Sequence, residues 1–181
     1  MSREPRLPFE NTYWVIPSRL LAGPLPAQGS AEEIEGRLSA LLDAGVDHII
    51  NLMEDREGAQ APGVFPQYQA ELARSVAASA IEVTVARFPI PDMGLPEPEQ
   101  MRAILQDLGR ALAAGRVVYV HCWGGKGRTG TVIGCYLTGD GDTGDAALQR
   151  LSALRLSAGL YSASPETEAQ REFVRGWPIL K

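Results

Sequence analysis

Cysteine is scarce in this chain of 181 residues, which has two, Cys122 and Cys135, beside two histidines. So few thiols exclude a disulfide scaffold, and none stands at zinc-ligand spacing, so no metal site is expected. Low cysteine usage fits a reducing, intracellular compartment. Long apolar runs are missing too. No segment approaches the roughly 18 consecutive apolar residues of a membrane span. The opening Met1-Ser2-Arg3-Glu4-Pro5-Arg6-Leu7-Pro8 has basic residues but lacks the apolar stretch that a secretory signal puts behind them. A cytoplasmic protein with no membrane span is the expectation. Positive charge is in deficit, with 17 Lys and Arg against 22 Asp and Glu for a net charge of -5. That argues against a broad basic face of the kind that binds nucleic acid, so an anion must be caught locally.

What the chain does have is apolar content: 45% of its residues are hydrophobic, enough for one core and one domain. Residues 1–11 show little periodicity and read as a flexible arm, leaving 12–181 as a single domain, monomeric by default. Tyr13-Trp14-Val15-Ile16 and Arg19-Leu20-Leu21-Ala22 read as two short strands around Pro17-Ser18. Ser30 with Glu33 three residues on is a capping-box signature, and Ile34, Leu38, Leu41 and Leu42 then share a helical face as far as Gly45. The run from His48 to Met53 predicts a buried strand. Pro66 opens a second helix with Tyr68, Leu72 and Val76 on its stripe, ending near Ala80, and the alternation of Ile81, Val83 and Val85 predicts a strand after it. Pro98 begins a helix marked by Met101, Ile104, Leu105, Leu108 and Leu112. Val117-Val118-Tyr119-Val120 is another buried strand, followed by helices through 132–137, from Ala146 to Leu154 and from Ser164-Pro165 to Trp177. Strands alternating with helices predict an α/β fold, a mostly parallel twisted sheet of about four to five strands flanked by helices.

The chemistry gathers where the strand at 117–120 meets a helix. There the chain reads His121-Cys122-Trp123-Gly124-Gly125-Lys126-Gly127-Arg128-Thr129-Gly130. Gly124, Gly125 and Gly127 let the backbone curl so that successive N–H groups converge on a dianion, and the helix dipole adds positive potential. Arg128 can meet two phosphate oxygens with its planar fork. The same field favours a thiolate, which makes Cys122 a nucleophile.

This loop, a His-Cys pair, five residues and Arg-Thr-Gly, resembles the signature of the cysteine-based tyrosine and dual-specificity phosphatases. The likeness extends from Trp14 through Ile90-Pro91-Asp92 to the last helix and is greatest for small dual-specificity-like members. The resemblance implies a phosphomonoester hydrolase that works through phosphocysteine without metal or cofactor. It implies Cys122 as nucleophile and Arg128 as phosphate clamp, with Trp123, Gly124, Gly125, Lys126 and Gly127 around the phosphate. Asp92 would be the general acid on a flexible loop, His121 would orient the loop, and Thr129 would hydrogen-bond the departing thiolate. Glu166 and Gln170 are similar to the segment that positions the hydrolytic water, although Ser164-Pro165-Glu166 equally suits a helix start. Glu54 and Asp55, which also follow a strand, are rivals to Asp92 as the acid.

The substrate stays open between a phosphorylated protein and a small phosphomonoester: phosphotyrosine, phosphoserine or phosphothreonine, a phosphoinositide and an RNA 5′-phosphate all present the same dianion to the loop. Lys126 leaves room for a phosphoinositide, while Trp123 stands where phosphoinositide phosphatases of this superfamily carry a second basic residue. An arsenate reductase or sulfur transferase would need a second thiol within reach. Cys135 lies about 10 Å along its helix from the loop at 1.5 Å per residue, and reads as buried filler. A module that only docks phosphorylated partners would not need both Cys122 and Arg128. The stretch from Asp140 to Asp145 has Asp145 where a calcium loop needs Gly, and Lys126 lacks the Ser or Thr that follows the lysine of a nucleotide loop. Trp177 is expected in the core and His48 at a strand edge.

Overall fold

Aromatic and β-branched side chains open the fold. β1 (Tyr13–Ile16) and β2 (Leu20–Gly23) pair antiparallel in the computed structural model, which describes residues 5–55, 57, 70, 72–77 and 81–180. Ser30 then starts α1 (Ala31–Asp43): its hydroxyl accepts from Glu33 N at 3.3 Å, and the Glu33 carboxylate accepts from Ser30 N at 2.7 Å. The predicted capping box is therefore formed, and Ile34, Leu38, Leu41 and Leu42 are its buried stripe. Gly45 turns the chain at φ 87° into β3 (Val46–Asn51).

β4 (Thr84–Arg87), α2 (Pro98–Ala113), β5 (Val117–His121), α3 (Gly127–Gly139), α4 (Gly144–Ser157) and α5 (Glu168–Leu180) follow. The five strands lie in the order β1-β2-β5-β3-β4, and every pairing except β1 with β2 is parallel. This is the α/β architecture the alternation predicted. β5 is the middle strand, and its Val118, Tyr119 and Val120 are fully buried, as an uninterrupted apolar run requires. α2 and α3 pack on β5, and α3, α4 and α5 pack on one another, with Val174 and Trp177 of α5 in the core. Among the described residues no helix is long and apolar enough to cross a membrane.

Four local expectations are corrected or curtailed. Of the helix expected from Pro66 to Ala80, residue 70 and residues 72–77 are helical; the rest, including Pro66, Tyr68 and Ala80, lies outside the described residues. The strand expected from Ile81 begins at Thr84, and Val85 is 42% exposed, because β4 is an edge of the sheet. His48 is not at a sheet edge. β3 pairs on both sides, and the buried imidazole lies 2.6 Å from Thr84 Oγ1 and 2.7 Å from Asp107 Oδ2. The last helix begins at Glu168 rather than at Ser164-Pro165, because Thr167 and Gln170 form a second capping box: each backbone N–H donates to the other's side chain at 3.1 Å. At the other end of the chain, Phe9 sits edge-on to Tyr119 and Glu10 pairs with Arg37.

Candidate active site

Parallel strands direct their carboxyl ends to one side of the sheet, and β5 ends there at His121. The chain then crosses residues 122–126 and enters α3, whose N-cap residue Lys126 supplies no side-chain cap. The loop's carbonyl oxygens are taken from outside. Trp123 O accepts from Leu25 N at 3.0 Å and Gln28 Nε2 at 2.9 Å, Gly125 O from Arg155 at 3.3 Å, and Lys126 O from Ser164 Oγ at 2.7 Å. The N–H groups of residues 123–126 donate to no acceptor among the described residues. Outward carbonyls and unused amides are what a backbone anion cradle requires. Gly125 is irreplaceable here: at φ 67° its Cβ would lie 2.4 Å from Gly23 C.

Arg128 is buried and holds two carboxylates. Its Nη atoms donate to Glu57 Oε1 and Oε2 at 2.5 and 2.8 Å, Nη1 also reaches Ile90 O at 3.2 Å, and Nη2 lies 2.9 Å from Asp92 Oδ1. Burial works against the guanidinium charge. The Glu57 hydrogen bonds and the nearby Cys122 and Asp92 outweigh it, so Arg128 titrates above the ordinary arginine value. Cys122 and Arg128 open with Asp92 onto a cavity of about 240 Å³, completed by Trp123, Gly124, Lys126 and Gly127 of the loop and by Met93 and Glu166 opposite. Lys126 Nζ faces Glu166 Oε1 at 3.9 Å across this mouth. A larger cavity, about 510 Å³, lies between residues 5–8 and Asp43 at the end of α1; it has neither cysteine nor histidine in its lining.

Asp92 occupies a four-residue turn closed by Gly94 N donating to Pro91 O at 2.8 Å, with Met93 at φ 58°. His121 is buried beneath, stacked on Tyr119, and burial pushes its imidazole down to about 4 despite the hydrogen bond to Cys122 O. The neutral ring donates from Nδ1 to that oxygen at 3.2 Å. Thr129 is buried, and its Oγ1 has no hydrogen-bond partner among the described residues. Gln170 is buried and does not line the cavity. Asp55 extends to Arg87 at 2.6 Å and is 88% exposed, and neither it nor Glu54 lines the cavity.

Two residues at the site were not singled out from the sequence. Glu57 follows β3 two and three positions after the carboxylates that were, and nothing local tells which one turns inward. Arg155 donates to Gly125 O and Ser162 Oγ and lies 5.4 Å from the Tyr13 ring. Its signal was present, since Ala147, Leu151 and Arg155 share the buried face of α4 at spacing four.

Residues 9–174 match the family described as "Swiss Army Knife protein, DSP-PTPase phosphatase domain". Among curated proteins, the phosphatidylinositol 3,4,5-trisphosphate 3-phosphatase and protein-tyrosine-phosphatase PTEN1 of Arabidopsis thaliana is 29% identical over 98 residues, 53% of this chain and 23% of that protein. The uncharacterized protein MJECL20 of Methanocaldococcus jannaschii is 35% identical over 86 residues, 48% of this chain and 54% of that protein. The matches thus span about a quarter and about half the length of these relatives. Kinase associated phosphatase with its catalytic cysteine replaced by serine shares the fold at TM-score 0.69 and 21% identity, covering 88% of this chain and 85% of that one. PTPMT1 in complex with PI(5)P does so at 0.61 and 20%, covering 93% and 96%. With the family match running from Phe9 to Val174, in the middle of α5, and covering β5, the loop after it and α3, the chain belongs to the dual-specificity-type cysteine phosphatases.

Proposed function

We propose that the protein hydrolyses phosphate monoesters in two steps through a phosphocysteine on Cys122. The observation that carries this reading is the convergence of Cys122, Arg128 and Asp92 on one cavity floored by unused backbone amides. In the first step the Cys122 thiolate attacks phosphorus, the P–O bond to the leaving group breaks, and Asp92 gives its proton to the departing oxygen. In the second, water attacks the phosphocysteine, its proton returns to Asp92, and the S–P electron pair goes back to Cys122 with Thr129 as hydrogen-bond donor. Arg128 and the loop amides hold the equatorial oxygens throughout, where positioning and charge stabilisation dominate phosphoryl transfer. Neutral His121 donates from Nδ1 to the Cys122 carbonyl and so orients the loop at the nucleophile.

The rim favours an aryl phosphate, as on a phosphorylated protein, over a polyanionic headgroup. Trp123 and Met93 offer apolar walls, while Asp92 and Glu166 set two carboxylates against one lysine, itself paired with Glu166. A second reading, phosphoinositide hydrolysis, is supported by Lys126 inside the loop and by the names of PTEN1 and of PTPMT1 bound to PI(5)P. The common mechanism is tested by Cys122→Ser. Rapid acid quench during turnover of a labelled aryl phosphate should trap label on wild-type protein, and the variant should show neither label nor turnover while still binding phosphate. Substantial turnover by the variant removes the nucleophile.

A further inference from the structure

Gln170 is fully buried at the start of α5, and its amide contacts three separate segments. Its Oε1 accepts from Glu166 N and Thr167 N, both at 3.1 Å, and its Nε2 donates to Gly94 O at 3.1 Å. The amide also lies flat against Gly127, where both of its polar atoms would be 3.1 Å from a Cβ. With Oε1 accepting twice and the group closed off from the cavity, the amide is committed to protein contacts.

Gly94 is the last residue of the turn that carries Asp92. The entry of that turn is fixed independently: Ile90 is buried, its N–H donates to Leu52 O at 3.0 Å and its carbonyl accepts from Arg128 at 3.2 Å. The exit has the Gln170 amide. We infer that Gln170 is a positioning residue for the general acid, pinning the Asp92 turn to the same helix start that abuts the phosphate loop. The inference rests on Asp92 being the acid. The carboxyl proton reaches the leaving oxygen as the P–O bond breaks only if the turn holds Asp92 beside the phosphate, and a small displacement of a catalytic group slows a reaction steeply.

The test uses Gln170→Glu and Gln170→Met. Glutamate keeps the acceptor for the α5 cap, where it is the customary partner of Thr at this spacing, but sets an oxygen against Gly94 O. Hydrolysis is measured across aryl and alkyl phosphates of graded leaving-group pKa, with Asp92→Asn and the double variants, and Thr167→Ala as a cap-only control. Both Gln170 variants should slow poor leaving groups at least tenfold and activated aryl phosphates less than twofold. In the Asp92→Asn background they should add less than twofold. Thr167→Ala should lower the melting temperature without changing the leaving-group dependence. Two results overturn the inference: a burst of product with unchanged leaving-group dependence, which would put Gln170 on the hydrolytic water, or an equal loss on every substrate, which would make it purely structural. If Asp92→Asn alone retains the wild-type dependence, the acid reading itself fails and this inference with it.

Discussion

The floor of the cavity and its rim are made of different material. Cys122, Arg128 and Thr129 are at most 3% exposed, whereas Trp123 and Met93 are 37% and 52% exposed and the Asp92 side chain 64%. The floor is backbone, fixed by carbonyls that Leu25, Gln28, Arg155 and Ser164 hold from outside, with one arginine buried among carboxylates. The rim is side chains on three segments. On the proposed mechanism, recognition of the phosphoryl group is therefore coupled to folding, while recognition of everything attached to it would change by single substitutions that leave the fold alone.

Arg128→Ala should break this contrast most severely. It removes the clamp and strands Glu57 in a buried position, and breaking a buried ion pair costs about 3–5 kcal/mol. Chemical denaturation should report a loss of that order, together with loss of phosphate binding and turnover. Unchanged stability would mean that Glu57 does not rest on Arg128 in solution. Arg128→Lys should restore little, since an ammonium cannot meet two carboxylate oxygens in parallel.

At the rim, Asp92→Asn should leave stability nearly intact yet slow poor leaving groups by about a hundredfold or more, the usual scale of general acid catalysis. Activated aryl phosphates should be much less affected. An unchanged leaving-group dependence would pass the acid role to another residue or to water.

His121 provides a pH test of the floor. Its folded value, about 4, lies below the 6.5 of an unfolded histidine, so its contribution to stability is complete above pH 6.5 and is lost as pH falls toward 4, where the unfolded chain takes up the proton first. By pH 5 the loss attributable to this group is about 2 kcal/mol at roughly 1.4 kcal/mol per unit. The stability gap between wild type and His121→Gln, measured by denaturation at pH 7.5 and pH 5, should narrow by that amount. Parallel pH profiles would contradict the burial.

Lys126→Ala should have the smallest effect. Its ion pair with Glu166 is half exposed and 3.9 Å long, so hydrolysis of a phosphotyrosine peptide should change less than about threefold. A much larger loss confined to phosphoinositides would favour the second reading of the substrate, and an equal change on both would deny Lys126 a selective role.

The same division governs what the sequence made legible. The floor is contiguous, from His121 to Thr129, and its residue types have few other uses at that spacing. The strands and helices around it followed from capping, periodicity and apolar runs, as with Ser30–Glu33 and the face of α2. Glu57, Gln170 and the contacts of Arg155 depend on which segments meet in three dimensions. A Glu after a strand looks alike whether it turns toward Arg128 or, as Asp55 does, toward Arg87. The start of α5 shows the limit of local rules, because Ser164-Pro165 suits a helix start, yet the reciprocal hydrogen bonds of Thr167 and Gln170 set it at Glu168.

Asp92 on Arg128 also bears on how a turnover ends. On the proposed mechanism Arg128 receives a phosphate oxygen, and the same guanidinium has the Asp92 carboxylate at 2.9 Å in addition to Glu57. Arrival of a dianion is then an exchange of one anion for another, and so is its departure. On the proposed mechanism, inorganic phosphate released from sulfur would compete with an internal carboxylate tethered a few ångströms away at high effective concentration. On this reading, the internal carboxylate would help keep the site from being held by its own product.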